Sequence, residues 1–62
     1  MAHYKITVPP TMEMGSYSAV ISTNGYSTRS QEALQDYNSA RDHDGLPHLR
    51  RMPKGTKYKR VK

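Results

Sequence analysis

The chain has no cysteine, no phenylalanine and no tryptophan among its 62 residues. Without cysteine there is no disulfide staple and no thiolate to serve as nucleophile or metal ligand. Small secreted domains usually depend on such staples, so a reducing, cytoplasmic setting is expected. Apolar residues never run longer than three in a row, which is too short for a membrane span or the core of a signal peptide. The first residues read directly into a strand pattern, so no targeting segment is expected. The large apolar side chains beyond the initiator number only 16, five of them tyrosines. A chain this short forms at most one domain and buries only about 60% of its unfolded surface. So thin a core is expected to leave part of the chain unordered, or to be completed by a partner or a second copy in a homo-oligomer.

Acids are absent from residues 50–62, where Arg50, Arg51, Lys54, Lys57, Lys59, Arg60 and Lys62 give +7. In residues 1–49, Lys5, Arg29 and Arg41 stand against Glu13, Glu32, Asp36, Asp42 and Asp44, giving −2. The net +5 is therefore a property of the C-terminal fifth. Such asymmetry points to an anionic partner: the acidic surface of a larger protein, or a nucleic acid.

Two segments alternate with the period of half-buried strands. In residues 3–8, Tyr4, Ile6 and Val8 share one face, and Pro9-Pro10 ends the run. In residues 16–23, Tyr17, Ala19 and Ile21 do the same. Asn24-Gly25 then predicts a tight type I′ turn, with Tyr26 to Thr28 pairing back as a short return strand. Thr28 and Gln31 form a capping-box pattern that opens a helix over about 29–44. Ala33, Leu34, Tyr37, Ala40 and Arg41 make its inward stripe, with the Arg41 stem covering apolar surface and Asn38 lying off it. Gly45 ends the helix in the left-handed region, and Pro47 prevents its resumption. Residues 46–55 read as a connection docked by Leu46, Leu49 and Met52. Thr56 to Val61 alternates again and fits either a lysine-guarded edge strand or a basic tail. The expected architecture is α+β: a small antiparallel sheet of about three strands with one helix packed across it, in the order β-β-α-β. Residues 1–49 form the core, and 50–62 the basic segment.

The candidate contact residues are Arg50, Arg51, Lys54, Lys57, Tyr58, Lys59, Arg60 and Lys62, with Tyr26 as an exposed aromatic anchor beside the turn. Cations here can neutralise phosphates, and Tyr58 among them can stack on an unpaired base. Five such contacts to duplex DNA would give a salt slope of about −4 to −5. The competing reading is a solvated edge that keeps a small protein soluble. His43 and His48, with Asp42 and Asp44, offer two imidazoles and a carboxylate, but no spacing fixes a third strong zinc ligand. Glu32 and Asp36 stand four apart on the helix, where Arg29 and Arg41 are in reach as ion-pair partners. No serine sits in a glycine-framed nucleophile motif, and no phosphate-cradling loop is present. The expectation is a non-enzymatic binding protein with no cofactor, no metal and no membrane contact.

In shortness, lack of cysteine, minimal α+β scaffold and sharp charge asymmetry, the chain resembles the small accessory proteins that bacteriophages encode to redirect host machinery. The resemblance implies a modulator or inhibitor acting in the host cytoplasm on a protein that processes nucleic acid. Direct binding of DNA or RNA through the basic segment is the alternative.

Overall fold

The computed structural model describes residues 2–61. Three strands form one antiparallel sheet in the order β2-β1-β3, with β1 at Ala2–Val8, β2 at Tyr17–Thr23 and β3 at Lys57–Arg60. One helix, α1 at Arg29–His43, follows β2. This is the small α+β fold read from the sequence, and the edge-strand alternative for the basic segment is the one realised.

Register explains why this sheet has one dry face. Ile6 stands opposite both Ala19 and Tyr58, Tyr4 opposite Ile21, and Val8 opposite Tyr17. Paired residues share a face, so the apolar sets of all three strands turn the same way. Ile6, Ile21 and Ala33 form the buried cluster, with Tyr4, Tyr17, Ala19, Met52 and Tyr58 packed against it. Val8 and Tyr37 are also buried. Each full burial of a large apolar side chain stabilises by about 1.5–3 kcal/mol. With so few of them, polar ties must help fix the arrangement.

Those ties converge on the helix. Its start follows the sequence signal: the Gln31 amide donates to Thr28 Oγ1 at 3.2 Å, and the Thr28 amide donates to Gln31 Oε1 at 2.9 Å. Its end is a complete Schellman motif. Gly45 has φ +75°, its amide donates to the Asp42 carbonyl, and the Leu46 amide donates to the Arg41 carbonyl. The buried stripe is Ala33, Tyr37 and Arg41, spaced by four residues each time.

Three local expectations are corrected. The segment after β2 is not a hairpin: no non-glycine residue has positive φ, whereas a type I′ turn needs it at both central positions. Asn24 Oδ1 instead accepts the Tyr26 amide at 3.0 Å. The capping box at Thr28 begins the helix at once, leaving no room for a return strand. Asn38, placed off the inward stripe by the sequence, is a clamp. Its side-chain amide donates to the Leu49 carbonyl at 3.0 Å, and its Oδ1 accepts the Leu49 amide at 2.8 Å, reproducing a two-bond backbone bridge. Arg41 does more than lay its stem over the core. The whole side chain is 1% exposed, with Nε donating to the Pro47 carbonyl at 2.8 Å and Nη1 3.0 Å from Glu13.

Candidate functional site: the open face of the sheet

The strand alternation that turns Tyr4, Ile6 and Tyr58 toward the helix turns their neighbours outward. The second face of the sheet therefore carries His3, Lys5 and Thr7 from β1, Ser18, Val20 and Ser22 from β2, and Lys57 and Lys59 from β3. No element covers it among the described residues. Lys5, Lys57 and Lys59 are exposed. Lys5 stands directly opposite Lys59, so their side chains start about 5 Å apart. Like charges at that position oppose folding, and among the described residues no carboxylate lies on this face to offset them. Exposed Val20, opposite Lys5, and Val61 beyond β3 add apolar surface. His3 Nδ1 and the Ser22 hydroxyl are hydrogen-bonded at 2.8 Å across the strands.

The structure divides the candidate contact residues. Lys57 and Lys59 lie on the open face, joined there by Lys5, which segment-by-segment charge counting leaves out. Its signal was the antiparallel pairing of β1 with β3, which sequence alternation alone does not supply. Arg50, Arg51 and Lys54 are exposed in the loop that enters β3. β3 begins at Lys57, opposite Thr7, so Lys54 comes three residues before that end of the sheet, whereas Arg50 and Arg51 follow Leu49, which is tied to Asn38 of α1. Tyr58 and Arg60 face the helix side. The Tyr58 ring is half-buried and lies under the Arg29 guanidinium, 4.9 Å from its centroid, while Arg29 also lies 5.6 Å from the Tyr4 ring centre. Tyr58 is thus occupied as a cation–π partner on the face opposite Lys57 and Lys59. Tyr26 is 94% exposed, but it follows the far end of β2. The length of that strand, about 20 Å at 3.3 Å per residue, separates it from the basic loop. Lys62 lies outside the described residues.

The carboxylates occupy other parts of the surface. Glu13 meets Arg41, held there by a tight loop in which the Thr11 hydroxyl accepts the Glu13 and Met14 amides. Glu32 takes a hydrogen bond from the Ser27 hydroxyl. Asp36 Oδ2 takes one from the Tyr17 hydroxyl at 2.6 Å. Neither helix acid pairs with Arg29 or Arg41, contrary to the sequence expectation, because the tyrosine rings and Glu13 hold those guanidiniums. Asp42 meets His48 only at 3.7 Å and well exposed. No group of three or more His, Cys, Asp or Glu side chains suited to a metal exists among the described residues. No helix there is long and apolar enough to cross a membrane.

Burial, followed by the hydrogen bond to Asp36 and its negative charge, pushes the Tyr17 phenol up to about 12 from its ordinary 10.0. A neutral phenol favoured in the fold contributes stability that is complete below the unfolded value near 10. That contribution is lost as pH rises toward 12, because the unfolded chain releases its proton first. Urea midpoints are therefore expected to fall between pH 10 and 12, and Tyr17→Phe should flatten that limb relative to the parent chain.

No protein-family model, curated protein or solved structure matches this chain.

Proposed function

We propose that this chain is a non-enzymatic binding protein whose open sheet face docks on an acidic surface of a larger protein. The observation that carries the reading is the set of Lys5, Lys57 and Lys59 on one face that, among the described residues, is uncovered and without a carboxylate. An acidic surface placed there relieves the repulsion between Lys5 and Lys59 as well as gaining its own ion pairs. Val20 and Val61 give the same face apolar contacts that a phosphate backbone does not use. Arg50, Arg51 and Lys54, exposed in the loop that precedes β3, add further positive charge for an acidic partner. A modulator or inhibitor of a host enzyme that processes nucleic acid, the role the phage-protein resemblance implies, fits this chemistry.

Direct nucleic-acid binding is the second reading, favoured by the same contiguous lysines. Against it stands the placement of Tyr58 beneath Arg29, which leaves no tyrosine among the open-face cations of the described residues and only the His3 ring, hydrogen-bonded to Ser22, for base stacking. The two readings separate on affinity capture from nuclease-treated lysate of the native host, with the Lys5→Gln/Lys57→Gln/Lys59→Gln variant as control. One stoichiometric protein partner, lost by at least tenfold with the variant, is expected. Duplex DNA should bind weakly at 0.15 M salt. Capture that disappears with nuclease, together with a DNA salt slope of about −3 to −5, would replace the first reading by the second.

A further inference from the structure

We propose that the outer edge of β2, with the groove between it and α1, is a docking site for an extended segment of a partner protein bearing basic residues at alternate positions. The two edges of this sheet are built differently. The β3 edge is short and guarded by Lys57 and Lys59, a common defence against unwanted strand pairing. The β2 edge runs for seven residues, YSAVIST, without a charge or a proline. A strand left so plain is a template for strand addition.

Hydrogen-bond phase fixes which groups it offers. The Val61 amide donates to the His3 carbonyl, so His3, Lys5 and Thr7 turn their backbone toward β3. The alternate residues of β1 turn theirs toward β2 and are met by Tyr17, Ala19, Ile21 and Thr23. Ser18, Val20 and Ser22 consequently direct their backbone N–H and C=O groups outward from the sheet.

Beside this row lies a groove of about 280 Å³ whose lining includes Val20, Ser22, Glu32, Gln35, Asp36 and Ser39. Glu32 and Asp36 are one helical turn apart, about 6 Å along the axis. Alternate side chains of an extended peptide are about 6.6 Å apart. Two basic residues at i and i+2 of an added strand therefore match the two carboxylates. Each carboxylate accepts a neutral hydroxyl, from Ser27 or Tyr17, and neither has a cation among the described residues, since Arg41 serves Glu13 and Arg29 the tyrosine rings. A second copy of the chain also carries lysines at this spacing, Lys57 and Lys59, but on a strand of only four residues against the seven of β2. It also bears the same +5 charge, so a longer segment of another protein is the better occupant. The groove and the lysine face share Val20 and Ser22 but offer opposite charge, carboxylates in the one and ammonium groups in the other, so this site does not depend on the reading of the open face.

The test is fluorescence anisotropy of labelled octapeptides with the full chain at 0.15 M salt. A peptide alternating valine and lysine is expected to bind at least tenfold tighter than one alternating valine and glutamate, and tighter than a block arrangement of the same valines and lysines. Methylating every valine amide, or in a second peptide every lysine amide, should abolish binding in one case and spare it in the other. An antiparallel strand uses the valine amides and a parallel one the lysine amides. Amide exchange at Ser18, Val20 and Ser22 should slow in the complex. The Glu32→Gln/Asp36→Asn variant should lose the preference for lysine. Equal binding of the block peptide, or survival of both methylated peptides, would overturn the proposal. So would concentration-dependent self-association through β2 in a chain that binds none of the peptides.

Discussion

Replacing Arg41 with alanine is expected to destabilise the protein by about 2–4 kcal/mol, from truncation of a fully buried side chain and loss of its hydrogen bond. For a small domain that is much of the whole, since native stabilities run at about 5–15 kcal/mol. Arg41 is 1% exposed, and its guanidinium joins three parts of the chain: α1 itself, the loop after β1 through Glu13, and the loop after α1 through Pro47. Alanine deletes both contacts, leaves the Pro47 carbonyl without the Arg41 donor, and removes an aliphatic stem from a core that has little else. Methionine at the same position keeps the stem. Glu13 is half-exposed and returns to water at small cost, so Arg41→Met should recover about 1–2 kcal/mol of the loss. Urea unfolding followed by circular dichroism measures both. A loss under about 1 kcal/mol for Arg41→Ala would mean that the guanidinium contacts are incidental.

Ending the chain after Leu49 is expected to abolish cooperative unfolding altogether. The deletion removes β3, which pairs with the centre of β1 from Tyr4 to Thr7. It also removes Met52 and Tyr58 from the core cluster and the nearer of the two rings under Arg29. What remains is two strands and a helix with β1 opened along one side, and so few strands are marginal in water. Amide resonances should collapse toward random-coil positions, and the thermal transition should vanish. A truncated chain that melts within a few degrees of the parent would show that β3 is only appended to the fold. The expected collapse also decides how the basic segment must be tested. Loss of binding on truncation would report loss of the sheet, whereas the lysine-to-glutamine variant removes charge and leaves the backbone in place.

The strands, the helix and its two caps were legible because their signals are local. Alternation in Tyr4, Ile6 and Val8, the Thr28-Gln31 pair and Gly45 each act within a few residues. Reading Asn24-Gly25 as a hairpin failed where two local signals competed and the adjacent helix start prevailed. Lys5 and the fate of Tyr58 were not legible. Their positions follow from β1 lying between β2 and β3, a long-range pairing that no window of sequence records. The same holds for Asn38, which the sequence places off the inward stripe, and for the guanidinium of Arg41, whose stem alone it assigns to covering apolar surface. Their roles depend on where the connection after the helix runs, and that path is set by Leu49 and Pro47 meeting them.

The juxtaposed ammonium groups on the uncovered side of the sheet tie occupancy to stability. An unliganded molecule folds against that repulsion, and an anion seated between the strands screens it. Whatever binds there contributes to the folding equilibrium through mass action. If the proposed docking holds, the protein is at its most robust when engaged, and its lifetime against proteolysis tracks how much of its target is present.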